Sequence, residues 1–473
     1  MTSVRLQPAT VLLTAGTLVA AVLSIVAEPA PSGSSSQEIA RLQIEGTGRL
    51  RAAYGLRSRL GMLSDTPIAL GPELSGINHL TRLAKLRKTP DNLRRLAIAR
   101  FIMGDANWRQ PLLELRALPD FSPSQADREL AAWNVAFGRA DVAPEDCRSA
   151  SRLLQSLKLG WYEHVALAAL YDKCGRSREA WQQREAAYRT TDYLMAMAAL
   201  TLVAGLAGCG VLAVLVAYWI SQRRANLPIV RLAPLPIVAG QVLMYAAAAY
   251  FGFLTLLRLL VPLMAQALQS AAGDEQASIV YRSILNLLVV ALSVAIPSAV
   301  LRGLGRRVGL TSSDLGIARP KLLRDVGGGV TGYVATLPLL ALSLVVSTAL
   351  FDPSASRMNP AALDFARAQT FAARAVLFAL GAVAAPFVEE FVFRGLLLRA
   401  LQPRLGFGRA CVTTAALFAI LHPQLPTGFL SIFTLGVAFA LLYGLTGSLW
   451  PAVLAHGINN SIVFLYLALY LGG

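Results

Sequence analysis

The hydrophobic and polar positions divide the chain into a polar region and a long series of apolar runs. Within 193–473 the apolar runs are separated by short loops, several of which contain arginines. A run of about 20 apolar residues crosses the hydrocarbon core of a bilayer as a helix. The pattern therefore predicts a membrane domain at 193–473 with eight spans. They are 193–220, 237–262, 279–301, 327–350, 371–398, 409–424, 428–446 and 450–471.

One more apolar run lies at the start of the chain. Residues 11–27 are apolar and follow a short segment that contains Arg5, as in a signal peptide or a signal anchor. Residues 27–30 (AEPA) make a poor cleavage site. We therefore predict an uncleaved anchor at 1–27, followed at 29–37 by a flexible linker of Pro, Ser and Gly.

The polar region at 28–192 has a helical pattern. From 38 to 189 apolar positions recur three and four residues apart, and strand signals are absent. Residues 161–188 resemble a tetratricopeptide-type helical hairpin, and Phe101, Phe137 and Tyr171 follow one another at close to that repeat's 34-residue period. The hairpin positions are held by Leu167, Ala168, Tyr171, Gly175, Ala180 and Ala187. We expect an α-helical domain, either repeat-like or irregular, that would dock a protein partner.

Composition strengthens the membrane interpretation. The 473 residues have a mean hydropathy of +0.54 and only 15% charged residues, whereas soluble domains average about 25%. The predicted fold class is an all-α, polytopic transmembrane helical bundle with an inserted helical domain. The net charge of +16 is better explained by arginine-rich cytoplasmic loops than by nucleic-acid binding.

The arginines also predict the orientation of the chain. Arg223 and Arg224 follow one predicted span and Arg306 and Arg307 follow another, whereas the loop at 269–278 has acids and no base. Short cytoplasmic loops carry an excess of Lys and Arg. We therefore predict a multi-pass protein of the cell (inner) membrane, with residues 28–192 and the C-terminus outside the cytoplasm.

Four cysteines are too few for a disulfide scaffold. Cys209 and Cys411 fall in apolar segments, and Cys147 and Cys174 lie in the polar domain. The second pair would form one bridge if that domain is outside the cytoplasm, where disulfides persist. The spacing alone leaves this question open.

The candidate chemistry is concentrated near the C-terminus. After Asp364 the only acids are the adjacent Glu389 and Glu390, and two of the four histidines in the chain, His422 and His456, lie in the same part. Ionisable groups at membrane depth cost about 2.5–3.5 kcal/mol on insertion scales, so they seldom occur there without a role. We interpret them as a site, although both glutamates could instead lie at a helix end near the headgroups.

Helical spacing predicts which of these side chains meet. Glu390 and Arg394 are four residues apart and would pair on one helical face, which directs Glu389 about 100° away. His456 and Asn460 are also four residues apart and share a face. A histidine alone would be interpreted as a hydrogen-bonded core residue, so the hypothesis of a site depends on the whole set.

Amide hydrolysis is the chemistry that fits these groups. A buried carboxylate can take a proton from water, a histidine can orient that water, and a second histidine with an amide can stabilise the oxyanion. Glu389, His422 and His456 could equally be the three protein ligands of a catalytic zinc. The H-E-x-x-H zinc signature and the G-x-S-x-G nucleophile elbow are both absent. The choice between a zinc ion and no cofactor stays open.

These motifs resemble the CAAX prenyl endopeptidase and bacteriocin-processing family, also called the Abi family. Its members share E-E-x-x-x-R, then F-x-x-x-H, then H-x-x-x-N on successive membrane helices. The matching residues here are Glu389, Glu390 and Arg394, then Phe418 and His422, then His456 and Asn460. The resemblance covers about 280–473 and is tight from about 380 to 462. Residues 313–317 (SDLGI) are similar to a stretch that often precedes the core in bacterial members.

The resemblance implies a role for each matched residue. Glu389 would be the base that activates water, with His422 as its partner. His456 and Asn460 would form the oxyanion-stabilising pair. Glu390 and Arg394 would support Glu389. The polar domain at 28–192 has no counterpart in the family pattern, so a prenylated substrate does not follow for this chain.

The leading hypothesis is an intramembrane endopeptidase that cleaves a membrane-associated protein or peptide. The alternative is a non-catalytic membrane scaffold or immunity protein whose helical domain docks a partner. A transporter with a proton relay would use the same Glu and His residues. It would also need a substrate path and often an internal repeat, and neither is visible in the sequence.

Overall fold

The computed structural model describes residues 16, 17, 81, 84 and 88–471, except for 103, 120, 139–141, 226–229, 273–274, 352–358 and 369. Apart from residues 16 and 17, the predicted anchor at 1–27 and the linker at 29–37 lie outside the described residues. Within the described ranges all regular structure is helical and no strand occurs, which confirms the predicted fold class. Contacts group the chain into two compact units, 33–200 with 468–473, and 1–32 with 201–467.

The polar unit is a series of short helices. Pro residues occupy the first turn of several of them, where the missing N–H costs nothing, and the Ser122 hydroxyl caps one by accepting from the Gln125 N–H. The elements are α1 (Pro90–Ile102), α2 (Gln110–Leu113), a 3₁₀ turn (Glu114–Ala117), α3 (Pro123–Phe137), α4 (Pro144–Ser156), α5 (Trp161–Lys173) and the first part of α6 (Ser177–Arg224).

Aromatic rings and one buried ion pair hold the polar unit together. Phe101 on α1 stacks on Phe137 of α3 with ring centroids 3.9 Å apart. Arg94 on α1 donates from Nε to Glu129 Oε2 of α3 at 2.9 Å. Burial alone would lower the pKa of the Arg94 guanidinium, but its hydrogen bonds and charge attraction to Glu129 and Asp91 raise that pKa above its ordinary value.

Helices α5 and α6 form the hairpin that resembles a tetratricopeptide unit. Gly175 makes the turn in the left-handed region, with φ of 68°. The hairpin positions facing the core are all buried, namely Leu167, Ala168, Tyr171, Ala180 and Ala187. The hairpin exists as predicted, and its assignment to that repeat family stays a prediction.

Cys147 of α4 and Cys174 after α5 form a disulfide bond, with Cα atoms 6.2 Å apart. This bond closes a loop of 27 residues and answers the question that the cysteine spacing left open. It ties α4 to the hairpin, because Cys174 immediately follows α5.

The membrane unit contains several long apolar helices, so the chain is a multi-pass membrane protein. After α6 come α7 (Ile237–Ala272), α8 (Glu275–Val300), α9 (Leu322–Leu350), α10 (Pro360–Arg367), α11 (Phe371–Phe378), α12 (Ala385–Glu390), α13 (Arg399–Ile420), α14 (Phe429–Thr446) and α15 (Trp450–Leu471). Three π-helical segments also occur, at Leu301–Gly305, Ala379–Ala384 and Phe391–Leu398.

Seven helices in the described residues are long and apolar enough to cross a membrane, where the sequence pattern predicts eight spans. The difference lies in one 50-residue run, Phe371–Ile420. A straight helix of this length would measure about 75 Å, far more than the ~30 Å hydrocarbon core. Gly406, with φ 74° and ψ 164°, interrupts it. The break falls between the predicted spans 371–398 and 409–424.

Glycines set the distances between the membrane helices. A Cβ added at Gly436 of α14 would lie 3.0 Å from the Ala415 side chain of α13. A Cβ at Gly457 of α15 would lie 2.8 Å from the Ala382 carbonyl oxygen. Small residues let backbones in a membrane approach closely, where no hydrophobic force draws helices together. The first contact joins α14 to α13, and the second joins α15 to the π-helical segment that precedes the two glutamates.

Candidate active site

Helix α12 presents the two glutamates between two π-helical segments. Ala379–Ala384 precedes it and Phe391–Leu398 follows it directly. Adjacent residues on a helix point about 100° apart, and the two side chains have different surroundings. The Glu390 side chain is fully buried, whereas that of Glu389 is 27% exposed. π segments within α-helices are frequent at functional sites.

Glu390 has two partners. Its Oε1 accepts from Arg394 Nη1 at 2.7 Å, the i,i+4 pair that the spacing predicts. The same Oε1 lies 2.9 Å from Nδ1 of His456, a contact that no local pattern indicated. Arg394 also donates from Nη2 to the Gly436 carbonyl at 2.8 Å. Because an ionised Glu390 only accepts, Nδ1 of His456 donates the hydrogen and Nε2 faces the other way.

Glu389 faces both histidines. Its Oε2 lies 3.8 Å from Nε2 of His422 and 3.7 Å from Nε2 of His456. Both distances exceed a direct hydrogen bond, and gaps of this size between polar groups suit one bridging water. Oε2 has no hydrogen-bond partner within the described part of the chain. The structure thus brings together the three residues that the sequence analysis placed at the reacting centre.

His422 lies in the turn just after α13. Its Nδ1 is 2.6 Å from the carbonyl oxygen of Phe418. A carbonyl oxygen only accepts, so Nδ1 carries the hydrogen and Nε2 is directed at Glu389. The F-x-x-x-H spacing therefore has a physical reason in this chain, because the backbone of Phe418 sets the tautomer of the histidine one turn later.

Asn460 is placed differently from the other predicted residues. Its Nδ2 donates to the Gly381 carbonyl at 2.8 Å, and its Oδ1 accepts from Asn459 Nδ2 at 3.2 Å. The described hydrogen bonds do not link Asn460 to Glu389 or to either histidine. One Nδ2–H remains beyond the bond to Gly381. Its pairing with His456 at an oxyanion stays a prediction.

Sequence reasoning missed the residues that support the site from neighbouring helices. Gly381 supplies the carbonyl for Asn460, and an added Cβ there would lie 2.5 Å from the Phe464 ring. Phe439 stacks on the imidazole of His456. Glycines in apolar helices could have indicated close packing. No local signal distinguishes Phe439 from the other apolar residues of α14.

The zinc alternative requires Glu389, His422 and His456 to act together as ligands. Among the residues that the structure describes, no group of three His, Cys, Asp or Glu side chains is arranged to hold a metal ion. Both imidazoles donate Nδ1–H to fixed partners. A metal ion would therefore bind their Nε2 atoms. We derive no step through zinc.

Comparison with known proteins agrees with the motifs. Residues 371–462 match the family model described as "Type II CAAX prenyl endopeptidase Rce1-like". The "Putative membrane peptidase YdiL" of Bacillus subtilis (strain 168) is 29% identical over 89 residues, which are 19% of this chain and 36% of that protein. The chain thus spans about a third of that relative's length. No solved structure matches the chain.

The matched range contains both glutamates, Arg394, both histidines and Asn460, the residues on which the resemblance in the sequence was based. It leaves the polar unit outside. Residues 371–462 are therefore similar to the Rce1-like family of type II CAAX prenyl endopeptidases.

Proposed function

We propose that this chain is an intramembrane endopeptidase that hydrolyses a peptide bond of a membrane-associated protein or peptide with water activated by Glu389. The observation that carries the proposal is the position of Glu389 Oε2, within 4 Å of Nε2 of His422 in the turn after α13 and of Nε2 of His456 on α15. A carboxylate in this position can hold and deprotonate one water between itself and the imidazoles.

The reaction begins when Glu389 takes a proton from that water as its oxygen attacks the scissile carbonyl carbon. The new C–O bond pushes an electron pair onto the carbonyl oxygen and forms a tetrahedral oxyanion. His422 accepts a hydrogen bond from the water at Nε2, which orients the attacking lone pair. Collapse of the intermediate breaks the C–N bond, and the proton held by Glu389 passes to the leaving amine.

His456 and Asn460 would stabilise the oxyanion. The remaining Nδ2–H of Asn460 is one donor. His456 can donate from Nε2 only when that nitrogen carries a hydrogen in addition to the one that Nδ1 gives to Glu390. The role of Glu390 and Arg394 is then to hold the imidazole ring and to place a full negative charge beside it.

We also propose that the protein resides in the cell (inner) membrane with residues 28–192 outside the cytoplasm. Two observations support this topology. The short loops that contain Arg223 and Arg224, and Arg306 and Arg307, alternate with the loop at 269–278, which has acids and no base. Short cytoplasmic loops carry an excess of Lys and Arg. The Cys147–Cys174 disulfide belongs to an oxidising compartment. The helical domain at 28–192 would bind a protein partner or the substrate.

The test compares peptides in membranes from cells that carry the wild-type chain, Glu389→Gln or His422→Ala. Loss of a general base lowers the rate by about 10²–10⁴-fold, so peptides that depend on the wild type should vanish from both variants. Glu114→Gln and His164→Ala are matched controls in the polar unit and should leave them unchanged. If no peptide depends on Glu389 or His422, the scaffold or immunity interpretation replaces the protease.

Metal analysis of the purified full chain separates the two versions of the chemistry. The glutamate version predicts that peptide release is unaffected by a chelator and that release does not scale with bound zinc. If release instead follows zinc content and Glu389→Gln loses the metal, Glu389 is a ligand and the proposed role as a base is wrong.

A further inference from the structure

The α14 residue Phe439 contacts two members of the site and belongs to none of the sequence motifs. Its side chain is 1% exposed. The Phe439 ring is stacked on the imidazole of His456, with centroids 4.9 Å apart and planes inclined by 19°. The guanidinium carbon of Arg394 lies 5.4 Å from the centroid of the same ring. One side chain therefore supports both partners of Glu390.

The ring of Phe418 on α13 contacts the same two groups, Arg394 and His456. The guanidinium carbon of Arg394 is 4.7 Å from the centroid of Phe418, which also meets His456 edge-on at 5.8 Å and 85°. Arg394 is thus bracketed by two aromatic faces in a fully buried position. An aromatic face attracts a cation, most strongly where water is excluded.

We propose that Phe439 is a positioning residue that sets the plane of the His456 imidazole. The hydrogen bond from Nδ1 to Glu390 fixes one ring atom but permits rotation of the ring about that bond. The parallel contact with Phe439 removes this rotation, so Nε2 points to Glu389. The catalytic consequence rests on the proposed function, whereas the orientation of the ring does not.

Nitrogen NMR of the full-length protein in detergent, labelled with ¹⁵N-histidine, tests the orientation without any substrate. The chain has four histidines, so each His→Gln variant assigns one set of ring signals. In the wild type we expect one sharp set for His456. Phe439→Leu should shift and broaden this set and leave those of His164 unchanged.

Phe251→Leu is the matched control, because Phe251 is equally buried in the same unit and its ring contacts are with Tyr250 and Phe393. It should leave the His456 signals in place. If Phe439→Leu moves them no more than Phe251→Leu does, the positioning role is wrong. Trifluorophenylalanine at 439 keeps the ring but weakens the electrostatic attraction of its face for a cation. It replaces the leucine variant if that variant fails to fold. Unmoved His456 signals with the fluorinated ring would also overturn the proposal.

Peptide release adds a second readout. Phe439→Leu should reduce kcat by about tenfold, the size expected for a lost desolvated ring contact, with KM unchanged, and Phe439→Tyr should restore most of it. A change in KM alone would overturn the proposal. If the wild type releases no peptide, the proposed function fails, and the NMR comparison still decides whether Phe439 positions His456.

Discussion

Each structural unit contains a buried arginine–glutamate pair, and the two pairs are built differently. In the polar unit, Arg94 and Glu129 come from different helices and bind through two parallel hydrogen bonds. Asp91 accepts from the remaining Nη1 at 2.8 Å. In the membrane unit, Arg394 and Glu390 are neighbours on one helix, and a single bond joins them.

The two pairs differ in which of their carboxylate and guanidinium atoms have hydrogen-bond partners. Both oxygens of Glu129 are occupied by Arg94. By contrast, Glu390 shares Oε1 between Arg394 and His456, while Glu390 Oε2 and Arg394 Nε have no hydrogen-bond partner among the described residues. Buried polar groups are normally satisfied, and exceptions concentrate where a site has a role besides stability. The first pair joins two helices, and the second holds a histidine.

The largest expected effect comes from removing one partner of each pair. Arg394→Ala leaves Glu390 as an uncompensated buried charge and should cost about 3–5 kcal/mol of local stability. Arg94→Ala should cost a similar amount in the polar unit. Hydrogen exchange followed by mass spectrometry measures both, through the opening of α12 to α14 and of α1 to α3.

Peptide release distinguishes the two variants. Arg394→Ala should abolish it, and Arg94→Ala should preserve it when measured below the temperature at which the polar unit opens. Loss of release in the folded Arg94 variant would show that the comparison between a structural and a functional pair is mistaken.

The next effect concerns the disulfide, which occurs in the polar unit only among the described residues. Replacing both Cys147 and Cys174 by serine should destabilise that unit by about 3–4 kcal/mol, as expected for a closed loop of this length. Exchange should accelerate in α3 to α5. Equal acceleration in α12 to α14 would contradict a stabilising effect of the disulfide that is confined to the polar unit. Cys209→Ser is the control, because Cys209 is free and exposed.

A smaller effect is expected when a whole pair becomes apolar or neutral. Replacing a buried ion pair by well-packed apolar residues is often neutral, or stabilises the fold by about 1–4 kcal/mol. Arg94→Met with Glu129→Leu should therefore recover most of the stability lost in Arg94→Ala. Arg394→Met with Glu390→Gln should recover exchange protection but no peptide release. Recovery of release would mean that the charge of Glu390 is dispensable.

The smallest effect is expected from a change at Asn459, the residue before Asn460. Asn459→Ala removes one of the two hydrogen bonds that hold the amide of Asn460 and should lower kcat by roughly fivefold, since one such bond contributes about 1 kcal/mol. Ser461→Ala is the control, because Ser461 bonds to the Gly457 carbonyl of its own helix. If both variants release peptide equally, Asn459 has no influence on the site.

Local patterns predicted much of this arrangement. Apolar runs predicted the membrane helices, and i,i+4 spacing predicted the Glu390–Arg394 pair. The rarity of charge in the last third indicated that Glu389, His422 and His456 belong together, and Oε2 of Glu389 lies within 4 Å of Nε2 of each histidine. These successes rest on rules that act within one helix or on the cost of burying charge.

The remaining contacts depend on how helices pack, which one chain segment does not encode by itself. The bond from His456 to Glu390 joins residues 66 positions apart. The stacking of Phe439 on His456 requires α14 to pass beside α15, and neither helix encodes this packing alone. Hydropathy separates the spans 371–398 and 409–424, but it does not predict that the backbone of Gly406 makes the break inside a 50-residue helical run.

The π-helical segments on either side of the glutamates have a consequence for insertions and deletions. A π turn holds about one residue more than an α turn in the same stretch of helix. Each segment therefore contains one residue more than the α-helix would need over the same length. Deleting one residue from an α-helix rotates everything beyond it by about 100°. Deleting one residue within Ala379–Ala384 other than Gly381, or one residue after Arg394 within Phe391–Leu398, would instead convert the π turn into an α turn and preserve the direction of the flanking side chains. The helix that carries the glutamates therefore has two places where its length can change while Glu389 still faces its histidines.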